Sequence, residues 1–263
     1  MTWQRYLIDW KNDKSQPMTH EEVDRDYAIG SLERGRMILK HTHLDVKDKK
    51  TLDVGIGSGG IACAFAEKGA LIYGLDVNDY FINMSKQRFK DLNLKYERIS
   101  KWKGGGFRIP YPDKFFDAII ATDTLHHAPK WKVFIKEINR VLKTNGYLFI
   151  SEERRWFPFY VLQSPHDNLP FTMLLPKSIR VKIEKRIGMP TIDYYMFSFS
   201  WELRNELRKY LIKSKNIDSI KKEAFNKKHL PKIVWPIYNL MFIQMLCKKS
   251  LALEKLSWDA IPP

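Results

Sequence analysis

The stretch that most limits what this chain can fold into is Thr51-Leu52-Asp53-Val54-Gly55-Ile56-Gly57-Ser58-Gly59-Gly60. A β-leaning apolar run ends in a cluster of glycines, and a helix-like segment from Ile61 to Lys68 follows. The pattern predicts a strand, a tight turn and a helix start. Glycines serve in such a turn because they tolerate positive φ and let a ligand lie against the backbone. A second apolar run, Ala70 to Leu75, ends in Asp76. A carboxylate at the tip of the second strand of a βαβ unit is placed to accept hydrogen bonds from ribose hydroxyls. A nucleoside-containing cofactor is therefore expected. Gly55, Gly57 and Gly60 also satisfy the dinucleotide fingerprint, so glycine spacing leaves a dinucleotide open. Asp53, two residues before the first glycine, leans away from it. A carboxylate there repels a pyrophosphate but suits the ammonium and sulfonium of S-adenosylmethionine (SAM).

Downstream the strand–helix alternation continues. Phe115 to Ala121 reads as a buried strand ending in Thr122-Asp123-Thr124-Leu125-His126-His127. Pro129 opens an amphipathic helix, with Val133, Phe134, Ile138, Val141 and Leu142 expected inward. Lys143 to Gly146 should end it, and Tyr147 to Ser151 is the next strand. A short strand is expected over Lys95–Ile99, and a flexible loop over Lys103–Pro110. Such alternation predicts an α/β fold, a parallel sheet covered by helices on both faces. Ligands then sit at the carboxyl ends of the strands, where Gly55, Asp76, Gly105 and Thr122 all fall.

These residues carry a resemblance. The chain is similar to the class I SAM-dependent methyltransferase family, in particular the branch with ubiquinone/menaquinone-type methyltransferases. It rests on Leu52–Gly60, Gly74-Leu75-Asp76-Val77, Ile109-Pro110-Tyr111-Pro112-Asp113 running into Phe116-Asp117, Thr124-Leu125-His126-His127, and Phe134–Lys143 with Gly146. It covers roughly residues 50–152. The resemblance implies a Rossmann-like, seven-stranded, mostly parallel sheet with an antiparallel last strand, plus a lid-like insertion. It also implies that the backbone of Gly55, Gly57 and Gly59 lines the methionine part of SAM. Asp53 would act on the ammonium group, Asp76 on the ribose hydroxyls, Val77 on the adenine, and Thr122 and its successors near the sulfonium. One departure stands out. The family usually has an acidic residue about five positions before the Pro of the Ile-Pro pair, and this chain has Gly105 between two further glycines. Adenine would then be held by backbone groups, with Phe107 packing on the ring.

The 263 residues suit one domain. It divides into an N-terminal helical arm (1–49), a SAM-binding core (50–152), a substrate lid insertion (153–198), and a C-terminal helix with the last strands (199–263). A helix is expected from Glu21 to about His41, with Val23, Tyr27, Ile29 or Gly30, Leu32, Met37 and Ile38 on one face. Pro176 to Ile187 reads as a basic amphipathic helix, Ser200 to Ile212 as a sheet-covering helix, and Asn216 to Glu223 as a strand. Pro231 to Lys249 fits either an interfacial membrane helix or a short helix around Trp235 followed by a final strand, Met241–Cys247. The fold favours the strand.

Cys63 and Cys247 lie far apart with no C-x-x-C partner, so neither a disulfide framework nor a metal site is expected. The N-terminal residues lack a signal-peptide pattern, which points to the cytoplasm. The net charge of +15 favours anionic partners, including the inner face of a membrane, or else reflects a solvated lysine surface. For the chemistry, His127 and His126 are candidate bases beside the sulfonium, and His166 in the lid is a third. The expected activity is methyl transfer by in-line displacement to a small-molecule, lipid-linked or glycan-linked acceptor. An RNA methyltransferase and a catalytically inactive SAM-binding partner subunit are the alternatives.

Overall fold

The computed structural model describes residues 2–5, 21–104, 108–128, 130–153, 171–172, 175–186, 200–210, 212–216 and 242–249. The helices are α1 (Glu21–Thr42), α2 (Gly60–Ala66), α3 (Asp79–Asp91), α4 (Trp131–Val141), α5 (Lys177–Arg186) and α6 (Ser200–Arg208). The strands are β1 (Lys50–Val54), β2 (Leu71–Asp76), β3 (Arg98–Lys101), β4 (Phe116–Thr122), β5 (Leu142–Glu153), β6 (Ile212–Asn216) and β7 (Phe242–Lys249). They form one seven-stranded sheet in the order β3-β2-β1-β4-β5-β7-β6. The β1–β5 pairs are all parallel, while β7 runs antiparallel between β5 and β6. This is the expected Rossmann-like arrangement.

Strand alternation builds two cores, one per face. Leu52, Val54, Ile119, Ala121, Leu148, Ile150, Met245 and Cys247 point one way and pack with Phe134 and Ile138 of α4 and Leu203 and Leu207 of α6. Ile72, Ile120, Phe149 and Leu246 point the other way, against Ile38 of α1, Ile61, Cys63 and Phe65 of α2, and Phe89 of α3. The central strands β1 and β4 are thus buried on both sides, and their functional groups are left to the strand ends.

Several boundaries differ from the sequence reading. β3 starts at Arg98, later than expected, and β6 ends where a strand was expected to begin. Helix α4 starts at Trp131, and its buried residues are Trp131, Phe134, Ile135, Ile138 and Val141, whereas Val133 is 42% exposed. Trp131, Phe134, Ile135 and Ile138 share one face at i, i+3 and i+4 spacing, and Val133 falls outside it. Leu142 already belongs to β5, whose pairing with β4 jumps from Phe116↔Leu142 to Ala118↔Tyr147. The predicted turn at Lys143–Gly146 is absorbed in that irregularity, with Asn145 at φ 63. On α1, Ile29 faces outward while Ala28 and Ser31 are buried. The interfacial-helix reading of Pro231–Lys249 fails over Phe242–Lys249, which is β7; the segment around Trp235 lies outside the described residues.

Candidate functional site

The carboxyl ends of β1, β2, β4 and β5 converge on one edge. At β1 the chain enters the glycine turn through backbone bonds from Gly55 N and Ile56 N to Leu75 O, at 2.7 and 3.0 Å. Gly55, Gly57 and Gly59 have φ of 75, 52 and 76, the left-handed region that L side chains rarely adopt. The three have different reasons to be glycine. A Cβ on Gly55 would run into the Thr124 hydroxyl, and one on Gly59 would sit 2.8 Å from Ser85 Cβ. A Cβ on Gly57 would meet nothing closer than 3.9 Å. Gly55 and Gly59 are therefore needed by the protein's own packing. Gly57 faces open space, the property of a backbone offered to a ligand. Gly55→Ala should lower stability by about 2–4 kcal/mol, from left-handed strain plus overlap with Thr124. A thermal melt reads this, and the double variant Gly55→Ala/Thr124→Gly should lose less than the single losses added together.

Asp76, at the tip of β2, is buried. Its Oδ2 accepts Gly57 N at 2.9 Å and its Oδ1 accepts Asn78 N at 3.0 Å. It therefore ties the open glycine to the start of α3, where Asn78 caps the helix by accepting Tyr80 N at 2.8 Å. Burial pushes the Asp76 carboxyl above its ordinary range, and these backbone donors oppose the shift. A carboxylate has about four acceptor positions, so capacity remains for hydroxyl donors. Val77, next in the chain, is 54% exposed, and a Cβ on Gly104 would lie 2.9 Å from its Cγ1. Val77 thus offers an open apolar surface beside Asp76. Gly105 and Phe107 lie outside the described residues, as does His166.

Asp53 is the most informative group. It is 2% exposed, and its Oδ1 has no hydrogen-bond partner among the described residues. Burial, then the Asp76 charge, drive its carboxyl well above the ordinary range, and Arg34 pulls the other way. A buried carboxylate oxygen without a donor is costly unless a cation or donor reaches it. The methionine ammonium of SAM would supply that donor, so the residues present fit the cofactor. Arg34 was missed by sequence reasoning. It reaches across from α1, donating from Nη1 to Asp123 Oδ2 at 2.6 Å and from Nη2 to Ser151 Oγ at 2.8 Å. Beneath the loop, the buried Arg88 donates to Ala28 O at 2.7 Å, Ser31 Oγ at 3.0 Å and Ser58 Oγ at 3.2 Å, with the Trp3 ring 4.2 Å from its guanidinium carbon.

The β4 end carries the other half. Thr122 is buried, and its carbonyl accepts Thr124 Oγ1 at 2.8 Å. The same hydroxyl also lies 3.0 Å from Val54 O, which fastens the β4 turn to β1. Leu125–His127 is a single 3-10 turn. It is held by a residue that sequence reasoning passed over, the fully buried Glu152 of β5. Oε1 accepts Thr124 N at 3.2 Å and Leu125 N at 2.8 Å, while Oε2 is 3.3 Å from His126 N and 2.7 Å from His126 Nδ1. A carboxylate only accepts, so Nδ1 carries the hydrogen. The His126 and His127 rings sit 4.0 Å apart. Desolvation and, second, His126 push the His127 imidazole below its usual value. The residue as a whole is exposed, so solvent moderates the fall, but the direction favours a neutral ring at neutral pH.

The structure thus brings Asp53, Gly55, Gly57, Gly59, Asp76, Val77, Thr122, His126 and His127 to one edge. A family model described as a methyltransferase domain matches residues 52–150. A fatty-acid O-methyltransferase of Mycolicibacterium smegmatis is 30% identical over 141 residues, 53% of this chain and 50% of that protein. A demethylmenaquinone methyltransferase of Tropheryma whipplei is 32% identical over 118 residues, 43% of this chain and 47% of that protein. The chain spans about half the length of these curated relatives. Among solved structures, a SAM-dependent methyltransferase of Aquifex aeolicus matches with a TM-score of 0.53 at 17% identity, covering 94% of this chain and 98% of that one. The [4+2]-cyclase SpnF matches at 0.55 and 18% identity, covering 84% and 81%. Likeness at that identity shows a shared fold.

Proposed function

We propose that this chain, whose residues 52–150 belong to the methyltransferase domain family, is a class I SAM-dependent methyltransferase acting on a small-molecule or lipid-linked acceptor. The observation that carries this reading is the pair of buried carboxylates on adjacent strands, Asp53 with an unpartnered Oδ1 and Asp76 bound to the open Gly57. One suits an ammonium, the other a diol, and a glycine backbone lies between them. A dinucleotide would bring its pyrophosphate to that place, where Asp53 opposes it.

Bound SAM supplies a methyl carbon already activated by a sulfonium, so the protein's work is alignment more than acid–base chemistry. Asp53 would hold the methionine end, Asp76 the ribose hydroxyls, and Val77 one face of the adenine. Thr124, fixed by Val54 O and Thr122 O, would keep the acceptor side of the edge in register with the glycine turn. Glu152 would set the orientation of His126, and His127 would present a neutral ring to the acceptor. A neutral His127 accepts a hydrogen bond from an acceptor hydroxyl, but a depressed imidazole is a weak proton store. We therefore assign His127 to orienting the acceptor.

The names of the matched relatives, a fatty-acid and a demethylmenaquinone methyltransferase, support an apolar acceptor over RNA. A phthiotriol/phenolphthiotriol dimycocerosates methyltransferase of Mycobacterium tuberculosis, 25% identical over 187 residues, points the same way. No helix among the described residues is long and apolar enough to cross a membrane. We place the protein in the cytoplasm, at the inner face of a membrane where such acceptors reside. The test is transfer of labelled methyl from SAM to lipid, polar and RNA extracts. Label is expected in the lipid fraction, and label confined to RNA would overturn the acceptor class.

A further inference from the structure

Helix α5, Lys177–Arg186, has the sequence KSIRVKIEKR, with five cations and one carboxylate. Residues 179, 182, 183 and 186 share one helical face. On it, Ile179 is 46% exposed, Lys182 and Arg186 are exposed, and Ile183 is half-buried. Arg180, on another face, is buried. A helix that met only water would turn its isoleucines in and its arginine out. Here Ile179 is turned out and Arg180 is turned in. Just upstream, Phe171 is 54% exposed, and the chain from Thr172 turns directly into α5 through Leu175 N to Thr172 O at 3.1 Å and Ile179 N to Pro176 O at 2.9 Å. Exposed large apolar side chains beside Lys182, Lys185 and Arg186 therefore occur in one short stretch.

We propose that this stretch, Phe171 and the Ile179–Ile183 face of α5, docks on an anionic phospholipid surface. The charge complementarity is direct: the apolar side chains enter the headgroup boundary, and the lysines and arginine lie along it with their ammonium and guanidinium groups toward the phosphates. Each basic side chain near an anionic surface strengthens binding about fivefold. A nucleic acid would use the cations and leave Ile179 and Phe171 in water. The inference stands apart from the methyl-transfer reading, because vesicle binding is read without cofactor or acceptor.

The experiment is co-sedimentation of the full chain with phosphatidylcholine vesicles, with and without phosphatidylglycerol. Binding is expected only with phosphatidylglycerol, and it should weaken with added salt. Lys182→Glu/Lys185→Glu/Arg186→Glu should weaken it roughly a hundredfold or more. Phe171→Ser/Ile179→Ser should weaken it about tenfold while keeping every charge. Circular dichroism and melting temperature of both variants should match the parent, since the replaced side chains face outward. Equal binding to neutral vesicles, no binding to either, or undiminished binding by the charge-reversed variant would overturn the proposal.

Discussion

Asp53→Asn is expected to make the protein without cofactor more stable while removing its affinity for SAM. Asp53 is buried, and its carboxyl is raised well above the ordinary range, chiefly by burial. A carboxyl raised on folding contributes stability that is present below its unfolded pKa and lost as pH rises through the folded one. At neutral pH the empty site therefore carries a penalty that an amide does not. The gain should be about 1–2 kcal/mol, the order of cost for a buried group short of a partner. It should vanish when the comparison is repeated in acid, where both side chains are neutral. The same change removes the charge that faces the methionine ammonium. A variant that is less stable, and that still binds SAM as the parent does, would contradict this account of Asp53. Stability sacrificed at a binding site is a common trade.

Glu152→Ala should have the opposite character, a large loss of stability from a residue that touches no cofactor in the present account. Glu152 accepts from three backbone N–H groups, Thr124, Leu125 and His126, and from His126 Nδ1. Alanine removes the acceptor that all four donors share, three of them in buried bonds. Each costs about 1–3 kcal/mol, so a loss near 4 kcal/mol or more is expected, comparable with much of a domain's net stability. Glu152→Gln retains one acceptor oxygen and should lose about half as much. A urea midpoint measures both. A change below about 1 kcal/mol for alanine would show that the 3-10 turn at Leu125–His127 does not depend on this carboxylate.

The cofactor side of the site was legible in the sequence because its signals are local. Asp53, the glycines and Asp76 belong to one βαβ unit, and the turn between them admits few residue types. Glu152 was not legible, because its partners lie more than twenty residues upstream and only the β4–β5 pairing brings them together. Arg34 was hidden for a similar reason: the sequence of α1 does not tell which carboxylate its guanidinium will reach. The sheet was legible where strands are buried on both faces and read as apolar runs. It failed at β6, Ile212-Lys213-Ser214-Lys215-Asn216, which among the described residues is an edge strand paired with β7 alone. Edge strands are kept polar to discourage further pairing, so their sequence resembles a loop. Val133, and Ile29 or Gly30, were placed inward by periodicity alone; all three are exposed because the helix carrying each is rotated from the assumed phase.

The central claim is that SAM binds at the edge formed by Asp53, Gly57 and Asp76. Calorimetric titration of SAM into the parent protein and Asp76→Asn tests it most directly. Asparagine keeps the shape of Asp76 but loses the charged acceptor facing the ribose. One-site binding by the parent and at least about thirtyfold weaker binding by the variant are expected, the scale of losing a charged hydrogen-bond acceptor. Equal affinities in the two proteins, or no binding by the parent, would contradict it.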